Sequence, residues 1–148
     1  MALHPDWRAF IELLNSHGVE YVIVGAHAMA FHGCPRYTGD IDILVRVSPE
    51  NAERLERVVR DFGFEDTGLT IRDFLKEHQV IQLGFPPNRI DLLTTLTGVS
   101  FDAAWAEAVS AELDGLPVKI LSRNHLIANK KALGRTKDLA DLEWLEGE

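Results

Sequence analysis

Asp40 and Asp42 stand two apart inside an apolar run, Asp-Ile-Asp-Ile-Leu-Val. On a β-strand such positions project to one face, about 6 to 7 Å apart along the chain. Burying two carboxylates side by side among Ile41, Ile43, Leu44 and Val45 is costly unless a cation neutralises them. Mg²⁺ suits that task, because it takes one or two carboxylates together with phosphate oxygens and water. Two such ions about 3.5 to 4 Å apart clamp an in-line displacement at phosphorus. A bare Asp-x-Asp also fits a strand edge facing solvent, so its context decides. Asp91, within Arg-Ile-Asp-Leu-Leu, is a third carboxylate that interrupts an apolar run. If its strand lies beside the first, three carboxylates converge on one spot. Gly25 follows the β-rich run Tyr-Val-Ile-Val and precedes a helical stretch. A residue without Cβ there lets backbone N–H groups approach a phosphate, although a tight turn would also use it.

Other polar side chains carry weaker signals. Arg36, in the loop before the acidic strand, is a phosphate candidate and otherwise a solvated loop charge. His27 and His32 are five apart, off a common helical face and without a Cys pair, which argues against zinc. His27 reads as a hydrogen-bonded, partly buried histidine, and Cys34 as an ordinary small residue with no activating partner nearby in sequence. Trp7, Trp105 and Trp144 are too dispersed for a base-stacking platform. Lys119, Arg123, Lys130, Lys131, Arg135 and Lys137 form the one basic cluster, readable either as a phosphate-binding patch or as a solvated face.

The elements that must position these residues follow from local pattern. Trp7, Phe10, Ile11 and Leu14 recur at helical spacing between Pro5 and about His17, with Gly18 as the stop. Tyr21 to Val24 reads as a buried strand, and Ala-His-Ala-Met-Ala-Phe-His as a short helix closed by Gly33. Ser48-Pro49 is a helix start, with Ala52, Leu55, Val59 and Phe62 as the buried stripe and Gly63 as the end. Thr70 to Glu77 predicts a weaker helix. Gln-Val-Ile-Gln-Leu-Gly-Phe and Arg-Ile-Asp-Leu-Leu-Thr-Thr flank Pro86-Pro87-Asn88 and predict an antiparallel hairpin. Phe101 to Ala108 predicts a short helix, and Asp114-Gly115 a tight turn between two strands. The C-terminal stretch at about 122–146 reads as helical, broken near Gly134. Strands and helices mix without strict βαβ alternation, which predicts an α/β (α+β) fold with a mixed sheet and flanking helices.

The 148 residues match one domain, at 46% hydrophobic and 26% charged, which excludes disordered and collagen-like classes. No apolar run approaches the roughly 18 residues that span a bilayer, and the N-terminus lacks a secretory pattern, so no membrane role is expected. A single cysteine makes no internal disulfide, consistent with a reducing cytoplasm. Against 23 acidic residues stand 15 basic ones, a net charge of -8, so any nucleic acid must be met by a local basic patch.

Taken in order, Gly25-Ala26, Thr38, Asp40 with Asp42, and Asp91 resemble the pattern of a minimal nucleotidyltransferase of the DNA polymerase β superfamily. Lys130 and the block Arg135, Lys137, Asp138, Asp141 are similar to the bacterial branch that includes the AbiEii-type toxins. The likeness runs through residues ~19 to 145 in one order. It departs at Ala26, where the family often has a Ser whose hydroxyl touches a nucleotide phosphate. The resemblance implies one nucleotidyltransferase-like domain over 1–148, moving a nucleoside monophosphate from an NTP to a hydroxyl of RNA (tRNA among the candidates), protein or a small molecule. Asp40, Asp42 and Asp91 would be catalytic and hold Mg²⁺, two ions, with Mn²⁺ as an alternative. Gly25, Ala26, Arg36, Thr38, Lys130, Arg135 and Asp138 would bind the nucleotide. Lys130 would meet phosphate or pyrophosphate oxygens, and an antitoxin protein would be the partner if the enzyme is a toxin. The competing expectation is a catalytically weak module of the same fold that binds nucleotide or a partner.

Overall fold

The computed structural model describes residues 3–64 and 68–147. Helix α1 (Pro5–Ser16) opens with Pro at its start and with the His4 side chain accepting from the Asp6 N–H. It buries Trp7, Phe10, Ile11 and Leu14 and packs against α3 and β6. Gly18 then reverses the chain at φ +69° into β1 (Tyr21–Val24), every residue of which is buried. The short α2 (Gly25–Phe31) follows with no intervening loop.

Strand β2 (Asp40–Val45) leads to α3 (Pro49–Asp61). Ser48 caps α3 by accepting from the Asn51 N–H, as the Ser-Pro pair predicts. The weaker helix expected at Thr70–Glu77 contracts to one 3₁₀ turn, Ile71–Leu75. Phe74 is its one fully buried anchor, too little apolar stripe to sustain a longer helix. β3 (Val80–Leu83) and β4 (Arg89–Leu93) form the expected hairpin, followed by α4 (Phe101–Glu107) and the hairpin β5 (Val109–Leu113) and β6 (Leu116–Ile120). α5 (Arg123–Leu133) ends at Gly134 with φ +63°, a left-handed cap that needs no Cβ, and α6 (Thr136–Glu146) packs back on it.

The sheet has the order β3-β4-β2-β1-β6-β5. β1 pairs antiparallel with β2, while β2 with β4 and β1 with β6 are parallel. The mixed sheet expected from the irregular alternation is therefore present. Its central strands supply the core, with Val22, Ile23, Ile41, Ile43, Leu44, Ile90 and Leu92 almost inaccessible. No helix among the described residues is long and apolar enough to cross a membrane.

Candidate active site

The parallel pairing of β2 with β4 sets Asp40 opposite Arg89 and Asp42 opposite Asp91. Register partners in a sheet share a face, so the three carboxylates and the guanidinium project together. One oxygen from each of Asp40, Asp42 and Asp91 lies within 4.8 Å of the others. The strand pattern explains why the site survives folding. Ile41, Ile43 and Val45 alternate into the core, and Leu44 closes the carboxylate face below Asp42.

Arg89 is the functional residue that the sequence reading missed. Its Nη2 donates to Asp40 Oδ2 at 2.7 Å and its Nε to Asp91 Oδ1 at 2.8 Å. The signal was available, because Arg89 precedes Asp91 by two on one strand and so must share its face. One guanidinium does not neutralise three carboxylates. Burial, with the like charges of Asp40 and Asp91, pushes Asp42 up to about 7 despite the opposing charge of Arg89. An all-carboxylate donor set short of positive charge fits a hard divalent cation such as Mg²⁺ or Mn²⁺. Among the described residues this carboxylate group includes neither imidazole nor thiolate, and His32 is committed through Nε2 to the Leu121 carbonyl at 2.8 Å.

Asp40 and Asp42 lie on the wall of a cleft of about 460 Å³. Gly25, Ala26 and Thr38 line it as well, as do Arg36, Lys130, Arg135 and Lys137. The structure thus brings together nearly every residue singled out by spacing. Gly25 leaves β1 with φ +67°, and its backbone lies directly against the Asp42 carboxylate. Thr38 Oγ1 sits 3.0 Å from both the backbone carbonyl and Oδ1 of Asp40, tying the loop to the acidic strand.

The opposite wall is built from a chain of alternating charges. Arg36 donates to Asp141 Oδ1 at 2.7 Å, Lys130 Nζ reaches Asp141 at 2.9 Å and Asp138 at 3.4 Å, and Arg135 Nε donates to Asp138 at 2.6 Å. Asp138 also accepts from the Arg135 backbone N–H, capping α6. Asp138 is fully buried and Asp141 nearly so. The Arg135 guanidinium, helped by the Arg135 N–H and Lys130, holds Asp138 down at about 2. Burial opposes ionisation of Asp141, but hydrogen bonds from Arg36 and Lys130 outweigh it and hold it below the usual carboxylate range. Two carboxylates hold three cations, so the wall keeps a positive excess toward the cleft. Asp138 does not itself line the cleft, and neither does Asp91.

Several expectations change at this point. Arg36 remains exposed to solvent but is not a free loop charge, since Asp141 on α6 holds it and its Nη2 also lies 3.3 Å from Cys34 Sγ. Cys34 therefore has a basic neighbour two residues along the chain, contrary to the sequence reading. The basic cluster separates. Lys119 bonds Ser110 and lies over Trp105, Arg123 reaches the Leu145 carbonyl, and Lys131 pairs with Glu146. Lys130, Arg135 and Lys137 are its members on the cleft, because α5 and the turn to α6 face the acidic strand while the others point elsewhere. His27 lacks the expected hydrogen bond at Nδ1, which is buried without a partner among the described residues, and its ring packs edge-on against Trp7 at 5.0 Å. Burial holds His27 below its ordinary value, partly offset by Asp40.

Leu93, Thr95, Leu96 and Thr97, on the segment leaving β4, complete the cleft together with Asn129. Asn129 Nδ2 donates to the Thr97 carbonyl at 2.8 Å, pinning that segment to α5. No spacing rule links Thr97 to Asn129, so this wall could not be read before the helix was docked.

Six-stranded mixed sheet, short helix after β1 and carboxylates paired across β2 and β4 together make a nucleotidyltransferase-like fold. The particular likeness is to a crystal structure of a protein from Thermotoga maritima assigned as a nucleotidyltransferase. The two agree with a TM-score of 0.62 over 96% of this chain and 91% of that one, at 18% sequence identity. At that identity the likeness concerns the fold. No family model and no curated protein matches the sequence.

Proposed function

We propose that the protein is a nucleotidyltransferase that moves a nucleoside monophosphate from an NTP to an acceptor hydroxyl, releasing pyrophosphate. The observation that carries this reading is the opposition of charges in one cleft. Asp40 and Asp42 share the cleft with Arg36, Lys130, Arg135 and Lys137, and Asp91 stands directly behind them, with one oxygen of each of the three carboxylates within 4.8 Å of the others. Phosphoryl transfer asks a protein mainly for positioning and charge complementarity, and this arrangement offers both.

Asp40, Asp42 and Asp91 would hold Mg²⁺, two ions in the full complement, with Mn²⁺ as a substitute. When bound, the metal supplies Lewis acidity and positive charge to the transferring phosphoryl group. Gly25 and Ala26 bring backbone close to the triphosphate without a side chain in the way. Lys130 and Arg135 contact phosphate oxygens, with Asp138 acting beneath them as the positioning carboxylate. Arg36 and Thr38 hold the loop at the cleft, and Arg36 adds a phosphate contact. Asp91, oriented by Arg89, completes the triad and helps to take the proton from the attacking hydroxyl.

The acceptor is a hydroxyl of RNA (tRNA included), of a protein or of a small molecule. The net charge of -8 opposes a long RNA footprint and favours a compact acceptor or a short RNA end. A toxin role, restrained by an antitoxin protein in a cytoplasmic setting, belongs to the same reading. So does the assignment of residues 1–148 to a single functional domain. Ala26, where a hydroxyl-bearing residue would add a phosphate contact, favours a second reading, a module that binds nucleotide or a partner with little turnover.

The test is transfer of label from each α-labelled NTP to total tRNA, cell protein and small-molecule acceptors with Mg²⁺, beside Asp42→Asn. Label that disappears with Asp42→Asn establishes the transferase and its acceptor class. No transfer to any pool by the wild type rejects catalysis and leaves the binding module.

A further inference from the structure

Tyr37 is 85% exposed and yet lines the cleft between the acidic strand and the basic wall. Its ring meets no hydrogen-bond, ring or cation partner among the described residues. Phe85 is equally exposed but lies outside the cleft lining, so exposure alone does not single Tyr37 out. Its setting does. The residue before it is held by the Arg36–Asp141 pair at 2.7 Å, and the residue after it by Thr38 Oγ1 beside Asp40 at 3.0 Å. One further on, Gly39 packs against Pro86 closely enough that a Cβ would meet it at 3.3 Å. The backbone under Tyr37 is therefore tied to α6 on one side and to the acidic strand on the other. A free ring is presented on a fixed stem.

What such a ring can take follows from its neighbours. Arg36, Lys130, Arg135 and Lys137 with Asp40 and Asp42 account for the charged part of a ligand, and a cleft of about 460 Å³ matches the size of small-ligand sites. The part left over is uncharged, and an unpartnered aromatic face attracts a flat heterocycle. Stacking of a base on an aromatic side chain is favourable and tolerant of base identity. We propose that Tyr37 is the nucleobase platform of the cleft, stacking the base of the nucleotide whose phosphates lie between the carboxylates and the basic wall. This rests on the nucleotidyltransferase reading and adds a consequence to it: the site gains affinity from having a base, without selecting strongly among the four.

The experiment measures binding of ATP and of inorganic tripolyphosphate, each with Mg²⁺, to the full chain by calorimetry. Tripolyphosphate carries the triphosphate chain of ATP without the ribose and the base. The wild type binds ATP more tightly than tripolyphosphate. Tyr37→Ala weakens ATP about 10-fold and leaves tripolyphosphate unchanged, GTP, CTP and UTP weaken comparably, and Tyr37→Phe restores the lost affinity. Tyr37→Ala alters an exposed side chain, and an unchanged melting temperature confirms that it folds. Equal affinity of the wild type for ATP and tripolyphosphate, or equal weakening of both by Tyr37→Ala, overturns the platform while the phosphate site stands. Failure of the wild type to bind either ligand overturns the platform and the nucleotidyltransferase reading together.

Discussion

A Cβ on Gly25 would lie 2.3 Å from Oδ2 of Asp42. The turn from β1 into α2 and the acidic strand are packed against each other with nothing between backbone and carboxylate. Gly25 is thus required twice, by its φ of +67° and by the carboxylate beside it.

Gly25→Ala should therefore displace the Asp42 carboxylate as well as strain the turn. The left-handed conformation alone costs roughly 1 to 2 kcal/mol for a residue with a Cβ. We expect a lower melting temperature and, separately, loss of the thermal stabilisation that Mg²⁺ with ATP gives the wild type. Differential scanning calorimetry with and without ligand measures both. A variant that keeps the full ligand response would show that Asp42 does not need its present position.

Asp42 makes stability depend on pH in a definite direction. Folding raises it from 3.8 to about 7, so the folded state holds a proton that the unfolded chain has released. Its contribution is fully present below 3.8 and is lost as pH rises through about 7. Without metal, the wild type should lose stability as pH rises from about 3.8 to about 7, relative to Asp42→Asn, which has no such proton. Mg²⁺ with nucleotide should offset that loss at the alkaline end, because metal binding and proton release are linked. Melting curves in chelator across this range test the first part. Parallel pH profiles for the two proteins would contradict it.

Arg89 is the cation that the triad already has. Arg89→Gln leaves Asp40 and Asp91 without the donors that now reach them at 2.7 and 2.8 Å. The metal-free protein should melt lower than the wild type at alkaline pH, where the carboxylates repel most. The rise in melting temperature on adding Mg²⁺ should then be larger, since the metal replaces a lost counter-charge. An unchanged metal response would mean that Arg89 does not share the triad's charge balance.

Asp138 carries the basic wall from below. Removing one partner of a buried ion pair is expensive, so Asp138→Ala should cost about 3 kcal/mol in urea unfolding, release Arg135 and leave Lys130 held by Asp141 alone. Its carboxyl is held at about 2 in the folded protein against 3.8 unfolded. The stability it gives is present above 3.8 and fades as pH falls through about 2. Acid unfolding of the wild type should therefore be steeper in that window than that of Asp138→Asn. Near-neutral cost in urea would place the ion-pair chain among the decorative contacts.

Much of the scaffold was legible because it obeys short-range rules. Ser48-Pro49 starts α3, Gly134 stops α5, and Asp114-Gly115 turns the last hairpin, each from the chemistry of one or two residues. Alternation along β2 put Asp40 and Asp42 on one face, and the same rule would have shown Arg89 beside Asp91. The helix expected over Thr70–Glu77 shortens to a 3₁₀ turn at Ile71–Leu75, because Phe74 alone is fully buried there and Ile71 packs on the core only in part.

What the sequence by itself determined is the set of local elements and the face each polar residue takes on its own strand. Backbone sterics, caps and periodicity act within a few residues, and they are written in the chain. Tertiary structure decided the parallel register that sets Asp42 opposite Asp91. It also decided the pairing of Arg36 with Asp141, 105 positions apart, and which of six basic residues reach the cleft. Those choices depend on how apolar faces of distant elements pack together, and no repeat within the sequence encodes the outcome of that packing.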